Sequence, residues 1–222
     1  MAIPVLILGE SGQGKSTSMQ HMDPTKTFLI QVSKKPLPFK VKGTGWGYLS
    51  SENRTGNIVV SDDSQTIIRY MEKTQRDVIV IDDFQYLLAN EFMRRSDEKG
   101  FDKFTDIGRH AWDVYQAACN LPGNKRVYIM QHTQSDEYGN IKAKTIGKLL
   151  DEKVCVEGLF SIVMRTVKDG KNYFTTENNG RDTVKCPIGL FDSERIENDL
   201  AFVDSKICEY YDIPTTNSAT AA

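Results

Sequence analysis

The apolar positions of this chain fall into short unbroken runs, separated by longer segments in which they recur every three or four residues. "IPVLILG" (3–9) is a continuous apolar run closed by glycine, the pattern of a strand covered on both faces in a parallel sheet. Residues 15–22 predict a helix that stops at Asp23-Pro24, because proline lacks an amide donor. "TFLIQVS" (27–33) is the next strand. The segment 34–47 that follows, with two prolines and three glycines, reads as an irregular surface loop. "NIVVS" (57–61) resumes the sheet, and 64–74 places Ile67, Ile68 and Met71 on one helical face. "DVIVIDD" (77–83) is a second fully apolar strand. Helical periodicity covers 84–95 and 102–120, the latter aligning Ile107, Ala111, Val114, Tyr115 and Ala118. A strand is predicted at 126–131, a short helix or ordered loop at 142–152, and a hairpin at 159–178 turning on Asp169-Gly170. Residues 193–211 read as helix.

Strand and helix patterns alternate and a hairpin follows them. The predicted fold is therefore α/β: a mainly parallel sheet flanked by helices, with antiparallel strands at one edge. A length of 222 residues suits one well-filled core and would cramp a second domain. Residues 1–212 are read as that single domain. Residues 213–222, ending in "TTNSATAA", have little to bury and are expected to be a disordered tail. A formal net charge of −2 excludes a global basic field, so any nucleic-acid contact must come from a local patch. Cys119, Cys155, Cys186 and Cys208 form no CxxC pair, which argues against a zinc knuckle or disulfide framework and fits a reducing compartment. No apolar run approaches membrane-spanning length, and the expected location is the cytoplasm.

Between the first strand and the first helix, Gly9 through Ser16 match G-x-x-x-x-G-K-[ST]. Glycines let the backbone fold into a nest whose N–H groups face phosphate oxygens, and the following helix turns its positive end to the same place. Gly9, Glu10, Ser11, Gly12, Gln13, Gly14, Lys15, Ser16 and Thr17 are the expected contacts to ATP. Lys15 reaches the β- and γ-phosphates, and the Ser16 hydroxyl meets Mg²⁺. Such a loop needs an acidic partner from the end of a neighbouring buried strand. "VIVIDD" supplies Asp82 for the Mg²⁺ shell and, next to it, Asp83 as the carboxylate that orients the attacking water. Glu52, in the loop before 57–61, competes with Asp83 for that role. The bland alternative is that Asp82 and Asp83 cap the helix at 84–95.

Ligands of doubly wound sheets meet the carboxyl ends of the strands. The strand at 126–131 ends in "QHT", which makes Gln131 and His132 candidates for sensing the γ-phosphate. Downstream, 133–153 carries Lys142, Lys144 and Lys148. The segment 91–104 interleaves Arg94, Arg95, Lys99 and Lys103 with Phe92, Phe101 and Phe104, the mixture a single-strand platform uses. Four acidic residues in the same segment equally suit a solvated helix over buried phenylalanines. In the turn 177–187, Arg181 and Lys185 are candidate cationic fingers offered to a neighbouring subunit.

With these residues assembled, the chain resembles the compact RecA-like ATPases of bacteriophages, a group linked to single-strand annealing and recombination. The matching pieces run in order from residue 9 to about 187: "GESGQGKSTSM", "KKPLPF", "VIVIDDFQYLLANEFMRR", "FDKFTDIGRHAWD", "KAKTIGKLLDEK" and "ENNGRDTVKCP". The resemblance implies a RecA-like P-loop core, ATP with Mg²⁺, self-assembly into rings or filaments, and single-stranded DNA as partner in an infected bacterial host. It implies that the loops at 91–104 and 133–148 line the DNA path, and it leaves room for a single-strand-binding protein as a further partner. Two other classes compete. One is a small-molecule P-loop kinase, with Arg94, Arg95 and Arg109 in its lid. The other is a nucleotide-gated module whose partner is a protein.

Overall fold

The computed structural model describes residues 1–214; of the tail expected at 213–222, residues 215–222 lie outside the described residues, while the Ile213 amide donates to the Cys208 carbonyl at 2.9 Å. The apolar runs become strands β1 (Ile3–Leu8), β2 (Thr27–Gln31), β3 (Ile58–Val60), β4 (Val78–Asp82) and β5 (Arg126–Gln131). A short antiparallel pair follows, β6 (Thr133–Ser135) with β7 (Ile141–Ala143). The hairpin is β8 (Ile162–Asp169) and β9 (Lys171–Thr175), and β10 (Arg195–Glu197) adds the last strand. The main sheet has the order β10-β9-β8-β1-β5-β4-β2-β3. From β8 to β3 all neighbours are parallel; β9 and β10 are antiparallel at one edge.

Alternate residues of the central strands feed two separate cores. Leu6, Ile79, Ile81, Val127 and Ile129 face helices α1 (Ser64–Lys73), α2 (Gln85–Arg94) and α3 (Asp102–Asn120), and the expected α3 stripe from Ile107 to Ala118 is fully buried there. Val5, Ile7, Val80, Tyr128 and Met130 face the opposite layer, built from Met19, Met22 and α4 (Leu200–Tyr210). Because both faces are covered, the strands read as continuous apolar runs rather than alternating ones.

Three segments depart from expectation. The helix at 15–22 is a 3₁₀ helix of six residues, Ser16–His21. Its Ser18 hydroxyl donates to the Lys15 carbonyl at 2.6 Å, the local competition by which serine weakens a helix start. The helix at 193–211 begins only at Leu200, where Asp199 accepts the amide of Ala201, while Ile196 joins the sheet opposite Phe174. The segment 142–152 divides into the end of β7 and a single π turn at Leu149–Lys153.

At the amino end of β5 the Arg126 guanidinium grips the Asp204 carboxylate of α4 through two bonds of 3.0 Å, and the Tyr128 hydroxyl donates to the same carboxylate at 2.7 Å. Asp204→Ala strands a buried guanidinium. It is expected to cost about 3–5 kcal/mol of stability, read by urea denaturation; a loss below about 1 kcal/mol would show that water replaces the carboxylate.

Candidate functional site

The carboxyl ends of β1, β5, β4 and β2 converge on a cavity of about 400 Å³. Glu10, Ser11, Gly12, Gly14, Lys15, Ser16 and Thr17 line it, joined by Ser33, Lys35, Pro36 and Pro38 after β2 and by Asp83, Tyr86 and His132. Two glycines are required by geometry. A Cβ on Gly9 would fall on the Thr166 hydroxyl of β8. Gly14 has φ of 92° and would press a Cβ against the Asn172 and Asn198 amides, the second of which donates to the Gly14 carbonyl at 2.9 Å. Gln13 closes the loop tip by accepting the Glu10 amide at 3.0 Å. The N–H groups of Ser11, Gly12 and Gly14 donate to no acceptor among the described residues, which fits a loop that receives an anion. With only six 3₁₀ residues behind it, the loop gains little from a helix dipole. An anion here would be held by these N–H groups and by Lys15.

Lys15 is buried, and its ammonium donates to the carbonyls of Gly9 at 2.7 Å and Glu10 at 3.0 Å. Burial lowers its pKa to about 8 against the opposing pull of Asp82 and Asp83. Asp82 ends β4 and receives the Ser16 hydroxyl at 2.8–2.9 Å. Burial, and secondarily the Asp83 charge, raise its pKa above the usual carboxylate range. A hydroxyl and a carboxylate are hard oxygen donors of the kind magnesium takes, so Ser16 and Asp82 fit as the residues that would hold it.

Asp83 does not cap the next helix. The residue before α2 is Phe84, which makes no side-chain cap. Asp83 instead sits at φ of 60°, a left-handed conformation worth about 1 kcal/mol of strain. The Phe84 amide, bonded to the Met130 carbonyl at 3.0 Å, fixes that crossing onto β5. The Asp83 carboxylate pairs with Lys35 and lies 3.6 Å from His132 Nε2. Burial pushes its pKa up, but the neighbouring His132 and Lys35 prevail and hold it below the usual range.

β5 lies between the strands that carry the loop and Asp82, so its end projects between them. Gln131 is fully buried. It accepts the Tyr115 hydroxyl at 2.7 Å and donates to the Lys144 carbonyl at 2.7 Å, while the Lys144 amide donates to the His132 carbonyl at 2.8 Å. His132 therefore faces Asp83 with its ring and the β6–β7 hairpin with its backbone.

Other expected residues are not brought to the cavity. Glu52 is exposed on the lobe 50–56, which Arg76 ties through the Thr55 carbonyl to Pro24 and Thr25 at the amino ends of the strands. The basic patch at 91–104 is largely spent within the chain. Arg94 pairs with Asp62, and Arg95 with Glu91, Glu98 and Asp106. Lys103 is buried under the end of α2, donating to the carbonyls of Arg95, Ser96 and Glu98 above the packed rings of Phe92 and Phe104. Lys142 pairs with Asp151. Lys99, Lys144 and Lys148 remain exposed, as does Phe101 at 85%. Arg181 and Lys185 are exposed beside the hairpin and β8: the Arg181 carbonyl accepts the Ile141 amide, and Lys185 bridges Val163.

Lys35, Tyr86 and the two asparagines under Gly14 escaped sequence reading. Lys35 had a usable signal, since it follows a buried strand on the carboxyl side where ligands gather. Among the described residues no helix is long and apolar enough to cross a membrane, and all four cysteines are free thiols. Comparison with protein-family models and with curated protein sequences finds no match to this chain.

Proposed function

We propose that the chain is a RecA-like, Mg²⁺-dependent ATPase that acts on single-stranded DNA in phage recombination or replication and works as an oligomer. The observation that carries the ATP assignment is the Ser16–Asp82 pair, formed across 66 positions of sequence beside a buried Lys15. The loop N–H groups and Lys15 bind the phosphates; Mg²⁺, when bound, neutralises charge on the β- and γ-oxygens. Asp83, oriented by His132, accepts a proton from the attacking water. The water oxygen bonds to the terminal phosphorus, and the bond to the bridging oxygen breaks with its electron pair leaving on ADP. The proton then passes from Asp83 to the departing phosphate. Loss of that phosphate reaches the β6–β7 hairpin through His132 and Lys144.

The DNA assignment is supported by that linkage and by the exposed Lys99, Phe101, Lys144 and Lys148. Arg181 and Lys185 stand as fingers for a neighbouring subunit. Hydrolysis measured with and without single-stranded DNA, at two salt concentrations, tests it. Stimulation that fades at high salt is expected, because phosphate contacts release counterions. Hydrolysis indifferent to DNA would remove the DNA partner and leave the ATPase. A nucleotide-gated module for a protein partner is then the reading favoured, on the observation that Arg94, Arg95, Lys103 and Lys142 are neutralised or bonded within the chain. The kinase alternative is weakened because Arg94, Arg95 and Arg109, its lid arginines, all face acidic side chains.

A further inference from the structure

Phosphoryl transfer builds negative charge on the terminal phosphate, and a cation placed there is among the strongest aids to the reaction. Lys15 is one such cation. Arg181 and Lys185 do not line this chain's own cavity. Lys35 does. Its position is built rather than accidental: β2 ends beside β4, with the Val32 amide donating to the Asp82 carbonyl at 3.1 Å. The buried Gln31 side chain then holds the Lys35 carbonyl at 3.0 Å, and the Tyr48 hydroxyl holds Gln31 from its other side at 2.9 Å. Pro36 follows and fixes the backbone beyond. The neighbouring Lys34 is turned away, with its ammonium 5.6 Å from the centre of the Tyr48 ring. The main chain at Lys35 is thus anchored, while its half-exposed side chain spans the cavity to Asp83.

That contact occupies both partners. While Lys35 neutralises Asp83, the carboxylate is a poor acceptor for a proton from water. A terminal phosphoryl group carries more charge than a carboxylate and offers three oxygens. The geometry points to Lys35 as a catalytic residue: it is paired with Asp83 in the free protein and transfers to the terminal phosphate when a nucleoside triphosphate enters, releasing Asp83 to take the proton from water. This inference rests on the ATP hydrolysis proposed above. One movement would make the base available only when a γ-phosphate is present, so ADP would leave the pair intact.

The test compares wild type with Lys35→Met and Lys35→Arg, folding being checked by circular dichroism. ADP and non-hydrolysable ATP analogue affinities are measured beside single-turnover hydrolysis. In Lys35→Met, hydrolysis is expected to fall about 100-fold and analogue affinity about tenfold, with ADP affinity unchanged. Lys35→Arg is expected to recover much of the analogue affinity. Equal analogue and ADP losses in Lys35→Met, or hydrolysis at or above the wild-type rate, would overturn the role of Lys35 while leaving the ATPase standing. A wild type that binds neither nucleotide overturns both.

Discussion

Lys15→Ala is expected to reduce ATP hydrolysis to the buffer rate and to weaken triphosphate binding by about 100-fold or more. In the free protein the Lys15 ammonium is buried, satisfied only by two carbonyls, and its pKa is lowered to about 8 by that burial. Phosphate oxygens would restore its charge. Binding near pH 8 should therefore take up a fraction of a proton, and affinity should fall as pH rises through about 8. Titration calorimetry in buffers of different ionisation enthalpy reads that proton directly, and the buffer dependence should vanish in Lys15→Ala. The same shift has a stability sign. The folded pKa of about 8 lies below the unfolded 10.5, so the burden of burying the charge is present below pH 8 and is relieved as pH rises toward 10.5. Its size is on the order of 3 kcal/mol. A free protein whose stability is flat across that window would show that water reaches the ammonium.

Asp82→Asn is expected to move stability and binding in opposite directions. The Asp82 pKa is raised by burial and by Asp83, so the folded value lies above the unfolded 3.8. The ionised form is destabilising, and that penalty grows as pH rises through the window between the two values and is complete above it. Asparagine keeps an acceptor for Ser16 and removes the charge. The nucleotide-free variant should be more stable than wild type, read as a higher melting temperature at neutral pH. On the proposed function it should also lose the additional stabilisation expected of wild type with Mg²⁺ and ATP, because the carboxylate proposed for the metal is gone. A destabilised variant that still responds to Mg²⁺ would make Asp82 a structural residue.

Much of the fold was legible because burial on both faces writes itself as unbroken apolar runs; β1, β2, β4 and β5 all match within two residues at each end. The shape of the loop Gly9–Ser16 was legible because its glycines and Lys15 serve local backbone geometry. What failed depended on partners far away in sequence. Nothing in 91–104 says that Arg95 is held by Asp106 of α3 in addition to its neighbours, or that Lys103 turns inward to carbonyls. Lys35 was hidden by its prolines, which mark a loop without saying that its main chain is bolted to Gln31. β10 was missed because three residues are too few for a period, and its pairing is decided by β9.

Gly9 and Thr166 touch across the junction of β1 and β8, leaving no room for a side chain on one or for a bulkier one on the other. A side chain at position 9 can therefore be accepted only with a smaller residue at position 166. A drift toward larger residues at 166 would push the edge hairpin, with Asn172 under Gly14, away from the loop it supports. The Asn172 and Asn198 amides packed under Gly14 tie the same edge to the loop at a second place, so the hairpin and the loop can only shift together.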